Sequence, residues 1–213
     1  VNKAWYDKYM EFIEMLSNMD EVTIPVGQPI IRGPSDVVGS LIGQDNLVYC
    51  MYDDPRRCSE LLHQVASFHL SLTEDMYKII GEYHGGYGIG YYSIWCPGKC
   101  FWFQDDLNAL LSPQLYETFV LEPHTILASS YDYTLFHLHP ASFYVIDYLI
   151  EIDGLGIIEI NKDFGGPSVE EMLPVLQKVQ QKKNLVFWGD FTEEELELVK
   201  RSVDPQGLYI IVY

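Results

Sequence analysis

Two histidines one residue apart, His137 and His139, lie in the run Thr134-Leu135-Phe136-His137-Leu138-His139. Alternate residues of a strand share a face, so two imidazoles at this spacing can converge on one zinc ion or one substrate. The same pair would serve equally well as strand-end groups bonded to backbone or water. Asp105-Asp106 follows the apolar run Cys100 to Phe103. Two crowded carboxylates raise one pKa, which suits a general acid or base or a seat for a cation. A cap at the start of a helix through Leu107 explains them as well.

Further polar groups follow other β-rich runs: Gln104 after the first, Glu159, Asn161, Lys162 and Asp163 after Gly156 to Ile158, and Trp188 with Asp190 after Leu185. Residues just past the carboxyl ends of parallel strands line the ligand sites of α/β folds. The expected site therefore has Asp106, His137 and Glu159 as catalytic groups and His137 with His139 as metal ligands. Asp105, Asn161, Trp95 and Trp188 are the expected substrate contacts. Tyr91, Tyr92, Trp95, Phe101, Trp102 and Phe103 either wall a pocket for a planar macrocycle or fill a core, and core packing is the simpler use. Cys96 and Cys100 flank a Pro97-Gly98 turn without a second cysteine pair at finger-like spacing, and Gly165-Gly166-Pro167 reads as a turn.

These groups need a scaffold of alternating helices and strands. A helix is expected from about Trp5 to Asn18, with Tyr6, Tyr9, Met10, Ile13 and Leu16 on one stripe, followed by a strand from Val22 to Val26. Asp54-Pro55 opens a long helix that ends near Gly81, and Ser112-Pro113 opens another. A helix is expected from Ser142 to Glu151. Ser168-x-x-Glu171 and Thr192-x-x-Glu195 are capping boxes that start two more. Strands are expected at Thr134 to Leu138, Gly156 to Asn161, Leu185 to Trp188 and Leu208 to Val212, with Tyr91 to Trp95 a further apolar run.

The chain has 213 residues, 48% of them hydrophobic, which is enough for one domain over residues 1–213. Its 31 acidic and 13 basic residues give a formal charge of −18, which repels nucleic acid and anionic membrane surfaces. No apolar run reaches 18 residues and the first ten residues resemble no signal peptide, so a cytoplasmic location with reduced cysteines is expected.

About six parallel strands, ending in the wholly apolar Leu208-Tyr209-Ile210-Ile211-Val212, fit an incomplete (β/α)8 barrel cut short at both ends. An open doubly wound sheet ranks second, since neither G-x-G-x-x-G nor a P-loop is present.

Several segments, in order, carry a family resemblance: Gln28 to Gly43 with Arg32-Gly33-Pro34, then Asp53-Asp54-Pro55 and Asp105-Asp106-Leu107. Leu111-Ser112-Pro113 through Glu122-Pro123 and Phe136-His137-Leu138-His139-Pro140 complete the set. Together they resemble the uroporphyrinogen decarboxylase superfamily and span nearly the whole chain. The resemblance implies a (β/α)8 barrel that either decarboxylates uroporphyrinogen or moves methyl groups to and from corrinoid (cobalamin) cofactors. Its zinc-using methyltransferases bind the metal through His-x-Cys on this strand and a later cysteine; His137 matches the first ligand and His139 replaces the second. The decarboxylase's essential aspartate and arginines belong to an amino-terminal portion this sequence lacks, and Ser40 stands where that enzyme has a pocket tyrosine. The leading expectation is thus a corrinoid-dependent methyltransferase with zinc as cofactor and a small molecule or corrinoid protein as substrate. Porphyrinogen decarboxylation and a non-catalytic corrinoid-binding or assembly module follow, and a homodimer is consistent with exposed strand edges.

Overall fold

The computed structural model describes residues 2–19 and 25–212. The chain opens with helices α1 (Lys3–Ser17), α2 (Pro34–Ile42), α3 (Gln44–Asp53) and α4 (Pro55–Tyr77) and a small hairpin of β1 (Tyr87–Ile89) and β2 (Ile94–Cys96). There follow β3 (Cys100–Gln104), α5 (Pro113–Leu115), α6 (Leu121–Ala128), β4 (Tyr133–Leu138), α7 (Ile146–Leu149), β5 (Ile157–Asn161), α8 (Val169–Gln180), β6 (Asn184–Gly189), α9 (Glu193–Ser202) and β7 (Leu208–Val212).

Local chemistry accounts for the helix starts. Asp54 accepts from Arg57 N with Pro55 in the first turn, and Ser112 accepts from Leu115 N with Pro113 behind it. Both expected capping boxes form: Ser168 and Glu171 open α8, and Thr192 and Glu195 open α9. Along α4, Cys58, Leu62, Val65, His69 and Met76 recur at helical spacing and are buried.

β3 to β7 form one parallel sheet in which spatial order equals chain order. A doubly wound sheet reverses direction at a switch point; this five-stranded sheet does not, an order consistent with a partial TIM-like fold. Among the described residues the parallel strands number five rather than the expected six. The expected strand at Val22 to Val26 lies largely outside the described residues, and Pro25 and Val26 have no regular structure. Beyond β3 the backbone of Arg32 forms a single bridge with Gln104, and Gln104 N donates to Ile31 O at 3.1 Å. The segment expected as a helix from Ser142 to Glu151 is instead a 3₁₀ stretch, Pro140–Val145, leading into the short α7.

The two faces of the sheet are covered differently. Phe101, Phe103, Phe136, Ile158, Ile160 and Phe187 point to the helices and form the main core. Burying each such side chain contributes about 1.5–3 kcal/mol, so this layer carries most of the stability. On the other face Cys100, Trp102, Leu135 and Val186 pack against Ile89, Tyr92 and Cys96 of the hairpin region. The run from Tyr91 to Trp95 is therefore not a strand of the main sheet. Gly90–Tyr92 is a 3₁₀ turn, Ser93 takes φ 54°, and β2 pairs antiparallel with β1.

Two buried aspartates tie the helical layer to the end of β3. Asp105 accepts from Ser35 N (3.1 Å), Ser35 Oγ (2.6 Å) and Asp36 N (2.8 Å), capping α2. Asp36 in turn accepts from Asp106 N (3.2 Å) and Leu107 N (2.8 Å), capping the 3₁₀ segment Asp106–Leu110. A Cβ on Gly33 would lie 2.4 Å from Asp105 Cγ, so only glycine lets the two chains approach this closely. Burial, then the neighbouring Asp105, pushes the Asp36 carboxyl pKa up, while the two backbone N–H groups pull it down. Asp36→Ala orphans both N–H donors; chemical denaturation should show a loss of about 1–3 kcal/mol.

His69, buried on α4, has its pKa drawn below 6.5 by burial, partly offset by the Arg32 backbone and the charge of Asp105. The folded protein binds fewer protons at this ring than the unfolded chain, so its contribution is complete above the unfolded pKa and is lost as pH falls below about 6.5. Unfolding midpoints measured from pH 7.5 down to 5 should fall less steeply for His69→Gln than for the parent, by an amount set by this ring.

Candidate metal centre

Strand register brings the principal residues together. Gln104 pairs with His137, His137 with Glu159, and Asn161 with Trp188, so side chains from four adjacent strands share the hairpin-covered face at the carboxyl rim. Asp106, two residues past the end of β3 on the same alternation as Trp102 and Gln104, joins them. Asp106, His137 and His139 each place one ligand atom within 4.8 Å of the others, a group able to hold a metal ion.

The protonation pattern follows from the partners. His137 Nδ1 is hydrogen-bonded to Glu159 Oε2, and His139 Nδ1 lies 2.7 Å from Asp163 Oδ1. Ionised carboxylates only accept, so each Nδ1 carries a proton, and a ring that is neutral then has its lone pair at Nε2. Those two Nε2 atoms face each other at 2.9 Å. Two opposed lone pairs repel unless a cation lies between or beside them, and either a proton or a metal answers that need. Tetrahedral zinc at about 2.0–2.1 Å from two nitrogens sets them roughly 3.3 Å apart, so the rings need open by only a few tenths of an ångström.

Outer groups hold this arrangement. Asn161 Nδ2 donates to Asp163 Oδ1 (2.6 Å) and Gln104 Nε2 to Asp106 Oδ2 (2.7 Å). Arg32 Nη1 reaches Asp106 Oδ2 at 3.4 Å and Asp36 Oδ2 at 3.1 Å. Tyr92 OH lies 3.2 Å from both Glu159 Oε2 and His137 Nδ1. Glu159 is fully buried and its second oxygen has no hydrogen-bond partner among the described residues, a costly state for a carboxylate. Burial alone would draw the His137 pKa down; the hydrogen bond to Glu159 and the charges of Glu159, Asp106 and Asp163 together raise it. The field that attracts a proton here attracts a metal cation equally.

A cavity of about 370 Å³ opens on the histidine pair, lined by Tyr91, Tyr92, Gln104, His137, His139, Asn161 and Trp188. Of the expected residues, Asp106, His137, His139, Glu159, Asn161 and Trp188 thus come together. Asp105 and Trp95 do not. Asp105 faces the helical side, where His124 Nε2 donates to it at 2.8 Å. Trp95 belongs to the hairpin, is half exposed, and donates through Nε1 to Tyr83 O at 2.9 Å. Asp163, Gln104, Arg32 and Tyr92 also belong to the site; strand-end position alone marks the first two, whereas Arg32 and Tyr92 arrive from elsewhere in the chain.

Partners that orient metal-binding histidines typically change metal affinity 10–100-fold when removed. Glu159→Gln and Asp163→Asn should each weaken zinc binding within about that range, measured by competition with a chromophoric chelator, while circular dichroism reports an intact fold. No protein-family model matches the chain, and no curated protein matches it.

Proposed function

We propose that the chain is a zinc-dependent methyltransferase of the uroporphyrinogen decarboxylase type, built on part of a (β/α)8 barrel and moving a methyl group between a corrinoid and a small substrate. One observation carries this reading: both histidine Nδ1 atoms are engaged by carboxylates, which leaves two Nε2 lone pairs converging beside Asp106. Carboxylate-oriented histidines are the usual outer layer of a metal site.

His137, His139 and Asp106 are the proposed ligands. Three protein ligands leave a position for a reactant, as catalytic zinc sites do. Bound zinc would lower the pKa of a thiol that ligates it and so supply a thiolate at neutral pH. Two nitrogens and one oxygen donate less charge than thiolate ligands would, which favours a strongly polarising metal. Glu159 and Asp163 fix the ring tautomers, and Gln104 fixes Asp106. Tyr91 and Trp188 wall the cavity and restrict water. A tetrapyrrole is larger than this cavity, so the corrinoid would be presented at the rim by a partner with only its methyl group reaching inward.

Calorimetric titration of metal-free protein with zinc should give one ion per chain, and His137→Ala or His139→Ala should weaken binding at least tenfold. Zinc-loaded protein should demethylate methylcobalamin in the presence of a thiol, followed by visible absorbance, with none from the His137→Ala variant. Failure of the parent protein to take up zinc would end the proposal.

A further inference from the structure

Two amide side chains give the cavity wall hydrogen-bond acceptors beside the histidine pair. Gln104 and Asn161 flank the histidine pair from the neighbouring strands, and each gives its amide nitrogen to a carboxylate: Gln104 Nε2 to Asp106 (2.7 Å) and Asn161 Nδ2 to Asp163 (2.6 Å). An ionised carboxylate cannot donate, so the partners fix which end of each amide is nitrogen. Among the described residues the side-chain hydrogen bonds of Gln104 and Asn161 run through their nitrogens, which leaves the carbonyl ends, Gln104 Oε1 and Asn161 Oδ1, without one. Both residues line the cavity, so these oxygens are among its acceptors.

The rest of the wall has the same polarity. Tyr91 is half exposed and stacks over Trp102 at 5.3 Å, with Trp188 tilted against it at 5.0 Å, so aromatic rings border the space. Aromatic faces are negative. Asp106, Glu159 and Asp163 stand behind the wall. The nearby arginine and lysine are engaged elsewhere: Arg32 by Asp36 and Asp106, and Lys162 by Glu195 at 2.7 Å and Asp190 O at 2.5 Å. An anion entering here meets acceptors and carboxylates; an ammonium meets two carbonyl oxygens and ring faces, which bind it by hydrogen bonds and cation–π attraction.

We infer that the small substrate of this cavity carries an organic ammonium group, held by Gln104 Oε1 and Asn161 Oδ1 against Tyr91 and Trp188. The inference depends on the metal-centre reading only in taking this cavity as the reaction site. It excludes substrates whose anchoring group is a carboxylate or phosphate.

Propylammonium, 1-propanol and propionate share a chain length and differ in head group. Ligand-detected NMR titrations on metal-free protein, at salt high enough to screen the acidic surface, should rank propylammonium at least tenfold tighter than propionate, with 1-propanol between. Zinc-loaded protein should still bind propylammonium. Tyr91→Leu, at a half-exposed ring outside the ligand set, should weaken propylammonium binding several-fold and leave zinc uptake unchanged. Equal or tighter binding of propionate to the metal-free protein, or loss of propylammonium binding at high salt, overturns the inference. Zinc titration of the same samples separates the two failures: normal uptake with no ammonium preference sinks only the substrate assignment, and ammonium binding without zinc uptake sinks only the metal centre.

Discussion

Two imidazole Nε2 atoms facing each other at 2.9 Å form an arrangement that needs a proton or a metal cation between or beside them. It exists because Glu159 and Asp163 hold the opposite edges of both rings, and those carboxylates are held in turn by strand register and by Asn161. The surroundings read as consequences of that constraint. The helical layer packs beneath the strands, the hairpin covers the opposite face, and β3 leads into Asp106 at the same rim. The centre's excess of negative charge needs a compensating cation, and the wall beyond it repeats the polarity.

Much of this was legible in the sequence, for physical reasons that can be named. Helix starts were visible because capping is local: Ser168 with Glu171 and Thr192 with Glu195 require only a four-residue window. His137, His139, Glu159 and Asn161 could be placed on one rim because side chains alternate with a period of two and parallel strands end together. The same alternation, carried one step past β3, separates Asp106 on the face of Trp102 and Gln104 from Asp105 on the face of Phe103. Weighing the two aspartates as a pair hid that difference.

Other features were not local. Trp95 was expected among the substrate contacts because an apolar run beside a strand looks like another strand; the Gly85-Gly86 and Pro97-Gly98 turns on either side were the sign of a hairpin. Arg32 and Tyr92 reach the centre only through tertiary contacts, Arg32 by a single bridge to Gln104 and Tyr92 by way of the hairpin. The order of strands in the sheet, which separates a singly wound arrangement from a doubly wound one, is likewise absent from any short window of residues. The aspartate that pairs with Asp105 in the helical layer, Asp36, lies 69 residues away from it in the chain.

That last pairing bears on how the protein assembles. Asp105 satisfies the start of α2, and Asp36 satisfies the start of the segment after β3, so neither turn can bury its amides until the other has arrived. Contacts between residues so distant in the chain carry a loop-closure cost and form late unless something else draws the ends together. The start of α2 and the segment after β3 are thereby tied to order together. The backbone of Asp106 is thus held by a carboxylate 70 residues earlier in the chain, so the rim's geometry depends on a contact that no neighbouring residue can supply.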